Sequence, residues 1–195
     1  MAHHHHHHMS KLAKIGETTF NKIEKINSEL LAMTYGSLVT QMLKDYEDVA
    51  AINTQLEKMG YKMGMRLIDE FMSKSGLSSG ACREFKDTAE SIAKVAFKMF
   101  LGINANVTNW SKDQTEYSIV FDENPLNDFV ELPEPIKQKR LYYSNIICGV
   151  IRGALEMVLM RVECEYKKCP LLGDDQSEIR VRLKEYLRET VPSED

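Results

Sequence analysis

One cysteine, Cys82, lies where the sequence could do chemistry, between a loop of small residues and a long apolar stretch. The segment SSGACREFKDTAESIAKVAFKMF, residues 78–100, predicts a helix that begins at about this cysteine. A thiol at a helix N-terminus faces unpaired N–H groups and the positive end of the helix dipole, and Arg83 adds a positive charge. These neighbours favour the thiolate, so Cys82 is a candidate nucleophile or acylation site. The alternative is a small buried side chain without chemistry, because free cysteine often packs as an apolar residue.

The sequence argues against several other kinds of site. All six histidines fall within residues 1–8, which look like an expression tag. Ser-His-Asp and Cys-His nucleophilic sites, and zinc or haem bound through histidine, need an imidazole that the rest of the chain does not supply. The other cysteines, Cys148, Cys164 and Cys169, form no C-x-x-C pair and are interpreted as structural thiols. We therefore expect no catalytic residue and no metal site.

Composition and charge indicate one soluble domain. The chain has 195 residues, of which 43% are hydrophobic and 28% charged, a balance that can form a buried core. A net charge of −4 with both signs interspersed argues against a nucleic-acid binder. There is no run of 18 or more apolar residues and no signal peptide after the tag, so we expect a cytoplasmic protein that does not span a membrane.

Hydrophobic periodicity predicts helices in the first half of the chain and strands in the second. The predicted helices repeat apolar residues at helical spacing: a weak one over 11–26, one that begins at Ser28, one over 48–75 closed by Gly76, one from Cys82 to about Gly102, and one from about Tyr143. The predicted strands alternate apolar and polar residues and are TEYSIVF, LMRVECEYKK and SEIRVRLKEYL, the last two joined as a hairpin by CPLLGDDQ. Residues 131–140 are expected to form a loop. The order of elements indicates an α+β domain.

Two glycines four residues apart, Gly149 and Gly153, predict a close backbone approach by the helix that carries them. Small residues on the Cys82 helix, Ala89, Ala93 and Ala96, are the candidate partners. Such a pair of faces produces either tight helix packing or a narrow apolar tunnel that would need a permanent occupant.

Two charged segments also have two interpretations each. The segment KQKR at 137–140, with three basic residues, precedes Leu141, Tyr142 and Tyr143 and either forms a solvated loop or contacts anionic lipid. The acidic end of the chain, 188–195, is either a frayed terminus or a contact segment.

Several segments in order resemble one known family. They are LAMTYGSLVTQMLKDY, QLEKMGYKMGMRLIDEF, IAKVAFKMFLGI followed by TNW, NPLNDFVELP and YSNIICGVIRGALEMV. These segments resemble subunit 3 of the TRAPP (transport protein particle) complex, the acylated small core subunits of the Bet family. The resemblance covers about Ser28 to Pro192, so residues 9–27 are interpreted as a variable lead-in, 28–192 as the TRAPP small-subunit domain and 193–195 as a flexible tail.

The resemblance implies an architecture and a cofactor. The expected fold is an α/β plait with N-terminal helices packed on a small antiparallel sheet, which dimerises through its helices. It also implies a palmitate attached to Cys82 as a thioester and held in a deep apolar channel. The channel-lining residues implied on the two helices are Phe85, Ala89, Ile92, Ala96, Met99, Val150 and Ala154.

The resemblance further implies a role in vesicle transport. The family assembles into a tether for vesicles that travel from the endoplasmic reticulum to the Golgi, and the assembly is a nucleotide exchange factor for a Rab GTPase. A single subunit is then not an enzyme; it pairs with other small TRAPP subunits, forms a homodimer when isolated, and lies peripherally at the cis-Golgi and endoplasmic reticulum membranes. The residues expected to contact the GTPase are Thr190, Val191, Pro192, Ser193, Glu194 and Asp195. The alternative function is a cytosolic fatty-acyl-binding or acyl-transfer module that uses Cys82 as a transient nucleophile.

Overall fold

The computed structural model describes residues 29–77 and 79–189, together with positions 15, 18, 19 and 22, which are helical. The first long helix, α1, is described over residues 29–45, so the N-cap predicted at Ser28 lies outside the described residues. Helix α2 covers Val49–Lys74, and its N-cap Asp48 accepts a hydrogen bond from the Ala50 N–H at 3.0 Å. Gly76 has a φ of 69°, the left-handed conformation that closes a helix, as the sequence predicted.

The helix predicted to begin at Cys82 begins three residues later. Cys82 is the last residue of a 3₁₀ turn, Ser79–Cys82, and helix α3 covers Phe85–Glu90. The chain continues without interruption through a π-helical turn, Ser91–Ala96, into α4, Phe97–Leu101, and ends at Gly102 with a φ of 70°. The prediction of a helix opening at the thiol is therefore wrong, because the residues from Ser79 to Cys82 close a tighter turn of their own and Glu84 is extended.

The sheet has four antiparallel strands in the order β1-β2-β4-β3. They are β1 Asn106–Thr108, β2 Glu116–Phe121, β3 Met160–Lys168 and β4 Ser177–Tyr186. The sequence predicted three of these strands and the β3–β4 hairpin, whereas the three residues of β1 are too short to show an alternating pattern. One face of the sheet packs on the helices, and its buried side chains are Tyr117, Ile119, Phe121, Met160, Val162, Tyr166, Ile179 and Val181. The α+β prediction is confirmed.

Two further helices lie between β2 and β3. The segment 131–140 was expected to be a loop, but Glu134–Gln138 forms a short helix, α5, which begins with a proline in its first turn. Arg140 follows it and donates a hydrogen bond to the Tyr142 hydroxyl at 3.2 Å. Helix α6 covers Ile146–Met157, and Tyr143, where the sequence placed its beginning, is a buried residue before it.

Helices α2 and α6 contact each other backbone to backbone. The close approach predicted for Gly149 and Gly153 is confirmed, but their partner is the α2 backbone at Glu57, Gly60 and Tyr61 rather than the alanines near Cys82. A Cβ atom on Gly149 would lie 2.0 Å from the Glu57 carbonyl oxygen, and a Cβ atom on Gly60 would lie 2.1 Å from the Ile146 carbonyl oxygen. The pair of helices therefore leaves no room for a side chain at these positions.

Candidate functional site

A cavity of about 340 Å³ lies beside the α2–α6 contact, bounded by these two helices, α1 and the segment from α3 to α4. Its wall consists almost entirely of apolar side chains. Helix α6 contributes mainly Ile147, Val150, Ile151, Ala154 and Leu155, which lie two residues from one of the packed glycines or next to one. Because two residues correspond to about 200° around a helix, Ile147, Ile151 and Leu155 point away from α2 when the glycines point toward it.

Four of the seven side chains expected to line a channel lie in the wall of this cavity: Ile92, Ala96, Val150 and Ala154. Phe85 and Ala89 are buried in the core instead. The Phe85 ring packs against Tyr117, with ring centroids 5.0 Å apart. These two residues therefore belong to the packed core and not to the cavity wall.

The π-helical turn explains why Met99 does not line the cavity either. From α3 to α4 the wall residues are Thr88, Ser91, Ile92, Ala96, Phe97, Phe100 and Leu101. Met99 lies three residues after Ala96, a spacing that would place both side chains on one face of a regular α-helix. A π turn contains about one more residue than an α turn, so the side chains beyond it are shifted and Phe100 takes the place expected for Met99.

Other wall residues were missed because they belong to helices that the sequence did not connect with Cys82. They are Leu31 and Tyr35 of α1, together with Met63, Leu67, Ile68 and Phe71 of α2. The spacing 63, 67, 71 was visible as a helical repeat, but a repeat of this kind does not show whether a face meets a core or a cavity. The glycines at 60 and 64 were the usable signal, since they identify which face of α2 is occupied by α6.

The hydroxyl groups near the cavity are directed to backbone carbonyls. Thr88 Oγ1 donates to the Phe85 carbonyl at 2.7 Å, and Ser91 Oγ donates to the Asp87 carbonyl at 3.1 Å. The Tyr35 hydroxyl donates to the Tyr143 carbonyl, and burial raises the pKa of Tyr35 far above its ordinary value. With these groups already hydrogen-bonded, the interior offers carbon surface and suits an apolar occupant.

Cys82 lies in the wall of the cavity, and 8% of its surface is exposed. Burial raises the pKa of the Cys82 thiol, and the carboxylate of Asp87 raises it further. The prediction that the thiolate is favoured is therefore wrong. The α-helix begins only at Phe85, and burial makes the charged form of the thiol costly.

The remaining predicted positions lie elsewhere. Cys148 and Cys169 are buried and Cys164 is half-buried, in agreement with structural thiols. Thr190, Val191, Pro192, Ser193, Glu194 and Asp195 lie outside the described residues. Within the described part of the chain, no group of three or more His, Cys, Asp or Glu side chains could hold a metal ion. Among the same residues, no helix is both long enough and apolar enough to cross a membrane.

Comparison with known proteins gives the chain a family. The model of the transport protein particle (TRAPP) component family matches residues 31–182. The chain belongs to the TRAPP component family. A trafficking protein particle complex subunit 3 from Dictyostelium discoideum is 57% identical over 182 residues, which cover 93% of this chain and 96% of that protein. A transport protein particle subunit bet3 from Schizosaccharomyces pombe is 47% identical and covers 96% of this chain and 100% of its own length. The BET3 subunit from Saccharomyces cerevisiae is 45% identical over 93% of both chains.

Proposed function

We propose that this chain is a core scaffold subunit of a TRAPP vesicle-tethering complex in transport from the endoplasmic reticulum to the Golgi, and that it carries a palmitoyl chain on Cys82. The observation that carries the acyl part of the proposal is the position of Cys82 in the wall of an apolar cavity. The relatives named as subunits of this particle, identical at 45% to 57% of aligned positions, support the part about the complex.

The size of the cavity supports an occupant rather than loose packing. An apolar cavity of roughly 150 Å³ stays dry and binds a molecule such as benzene, and this one measures about 340 Å³. Each methylene removed from water contributes about 0.8 kcal/mol, so a chain of about 16 carbons contributes at most about 12 kcal/mol before ordering costs. A buried palmitoyl chain would then form part of the core instead of a membrane anchor.

The state of the thiol supports a lasting modification. A thiol with a raised pKa is mostly protonated at neutral pH and is a weak nucleophile. Repeated acyl transfer through Cys82 would require a readily formed thiolate. A lasting thioester needs the thiolate only once, when the acyl group is attached, and is then held among apolar side chains.

Intact-mass measurement of the purified protein tests this part of the proposal. We expect a mass increment of one palmitoyl group on the peptide that contains Cys82, removed by hydroxylamine and missing in Cys82→Ser. Cys148→Ser is the matched control, because this buried thiol lies outside the cavity wall, and it should keep the increment. An unmodified thiol together with an exchangeable fatty acid would support the acyl-binding or acyl-transfer module instead.

Exposed apolar side chains on the first two helices support pairing with other subunits. Leu30, Leu31 and Met33 of α1 are 62%, 46% and 70% exposed, and Met63 and Met65 of α2 are 45% and 36% exposed. Surfaces of this kind commonly mark protein interfaces. The purified chain should sediment as a homodimer at micromolar concentration and exchange into a heterodimer with another small TRAPP subunit. A clean monomer under these conditions would contradict the proposal.

The proposed role at the membrane is indirect. The assembled complex, located peripherally at Golgi and endoplasmic reticulum membranes, would promote nucleotide exchange on a Rab GTPase, and this subunit would contribute its C-terminal residues. Glu194 and Asp195 could compete with nucleotide phosphate or magnesium ligands. Deleting 191–195 should leave folding, acylation and pairing intact but slow nucleotide release by the reconstituted complex. An unchanged exchange rate would restrict the subunit to a scaffold role.

A further inference from the structure

Phe129 is the most exposed large apolar side chain in the described part of the chain, with 87% of its surface accessible. Its φ of 62° is in the left-handed region, which bulky side chains rarely adopt. The Val130 N–H donates to the Asn127 carbonyl at 3.2 Å and keeps the turn closed. The structure therefore holds an aromatic ring in solvent on a backbone conformation that suits asparagine or glycine better.

The loop around Phe129 is firmly attached to the core. Leu126 and Leu132, three residues before and after it, are buried with 5% and 6% exposure. The Asn124 side chain accepts from the Leu126 N–H at 3.1 Å and donates to Ser144 Oγ at 2.9 Å. With both ends fixed, the ring is presented at a defined place instead of on a frayed loop.

The residues near Phe129 in sequence carry one sign of charge. Five exposed carboxylates occur between positions 122 and 134, namely Asp122, Glu123, Asp128, Glu131 and Glu134, and no lysine or arginine interrupts them. Among the described residues, none of the five takes part in an ion pair within 4.0 Å. The segment thus combines a protruding ring with negative charges that are not neutralised by ion pairs.

We infer that Phe129 and these carboxylates form a docking site for another subunit of the same assembly, one whose surface has an apolar pocket bordered by lysine or arginine. This identification of the partner rests on the proposed function. An exposed aromatic side chain that fills a pocket is a common anchor of protein interfaces, and complementary charges around it speed association and select the partner. An anionic membrane surface fits poorly, because it would repel the five carboxylates.

The test uses the full-length chain and purified TRAPP subunits, each titrated separately against wild type and against Phe129→Asn. Asparagine tolerates the left-handed backbone, so this variant removes the ring without disturbing the turn. We expect one partner to bind more than about tenfold more weakly to Phe129→Asn. Met157→Asn, which removes a 48% exposed side chain at the end of α6, is the control and should bind that partner as wild type does.

A second set of variants tests the charges. Glu131→Gln and Asp128→Asn should slow association with the same partner. They should also reduce the difference between the association rates measured at about 50 and about 500 mM salt. The midpoint of thermal unfolding of the isolated Phe129→Asn chain should equal or exceed that of wild type, because the ring does not stabilise the free protein.

Several results would overturn the inference. If wild type and Phe129→Asn bind every partner equally, Phe129 is not a docking site, and the proposed function is unaffected. Loss of binding to vesicles with about 30% phosphatidylserine, with subunit binding unchanged, would assign the ring to a membrane. Loss of self-association alone would assign it to a second copy of the chain. A wild-type chain that binds no TRAPP subunit would instead contradict the proposed function, and the partner named here with it.

Discussion

The two faces of helix α6 use space in opposite ways. Toward α2, Gly149 and Gly153 lie against backbone atoms, and a single added carbon would lie about 2.0 to 2.1 Å from a carbonyl oxygen. On the other face, side chains such as Ile151 and Leu155 leave a cavity of about 340 Å³. The same twelve-residue helix thus packs against backbone on one side and borders a cavity on the other, and the chain itself does not fill that cavity.

The difference between these faces indicates that the fold itself keeps the cavity open. Protein interiors are close-packed, and an unfilled space normally shrinks as neighbouring elements move together. Here α6 is held against α2 by backbone contact, and Arg152 of α6 also pairs with Glu57 of α2 and lies 3.9 Å from the centre of the Tyr61 ring. Because α6 is fixed from one side, it does not need an occupant on the other side to stay in place.

The largest expected effect comes from the face of α6 that contacts α2. Gly149→Ala should destabilise the protein by more than about 4 kcal/mol, because its Cβ atom would overlap the Glu57 carbonyl oxygen and the helices would have to separate. Urea unfolding of the purified variant, or loss of soluble protein, measures this effect. Gly36→Ala is the matched control: its Cβ atom would lie 3.1 Å from the Tyr143 hydroxyl, at the end of a side chain, and the change should stay within about 1 kcal/mol.

Equal stabilities for Gly149→Ala and Gly36→Ala would contradict the claim that α6 has no free space on the side of α2. Such a result would mean that α2 and α6 can separate by about the size of a methyl group at a small cost in folding free energy. The wall of the cavity would then also be free to collapse.

A smaller effect on stability, but a complete effect on binding of the acyl chain, is expected from a change in the cavity wall opposite α6. Ala96→Leu adds three carbons to a side chain in the cavity wall, where there is space for them, so the domain should fold with a stability within about 1.5 kcal/mol of wild type. The added side chain should exclude the acyl chain, and intact mass should show a protein without the increment. Retention of the lipid by Ala96→Leu would contradict the proposed position of the acyl chain, and failure to fold would mean that Ala96 packs as tightly as the glycines do.

The sequence predicted the fold better than it predicted the cavity, and the reason is physical. Periodicity reports which side of one element is buried, and it placed α2, α6, β2, β3 and β4 correctly, together with the described part of α1. It cannot report what lies opposite a buried face, so the partner of Gly149 and Gly153 was misassigned to the alanines near Cys82. The π turn at Ser91–Ala96 shifts the phase by one residue, and the apolar spacing of this segment did not reveal it.

The direction of the pKa shift of Cys82 also could not be predicted from the sequence. Its position near a helix and its neighbour Arg83 predicted a thiolate, while burial and Asp87 raise the pKa of the thiol. Which of these effects dominates depends on three-dimensional contacts: the helix begins too late to help, and Arg83 is exposed. Residue types near a thiol are thus a weaker guide to its pKa than its burial is.

The smallest expected effect concerns the Cys82 thiol in the cavity wall. With the acyl group removed by hydroxylamine, alkylation of Cys82 by iodoacetamide should be slower at neutral pH than alkylation of the same peptide in the unfolded chain, and its rate should rise with pH to a midpoint above the ordinary cysteine value. The sign follows because a raised pKa leaves less thiolate at any pH below it.

Asp87→Asn removes the second cause of the shift, so the midpoint for Cys82 alkylation in this variant should move down and the alkylation rate at neutral pH should increase a few-fold. Peptide mapping separates Cys82 from the half-buried Cys164, which serves as the internal control. A midpoint at or below that of the unfolded chain would mean that the thiol is open to water, in contradiction to its burial in the structure.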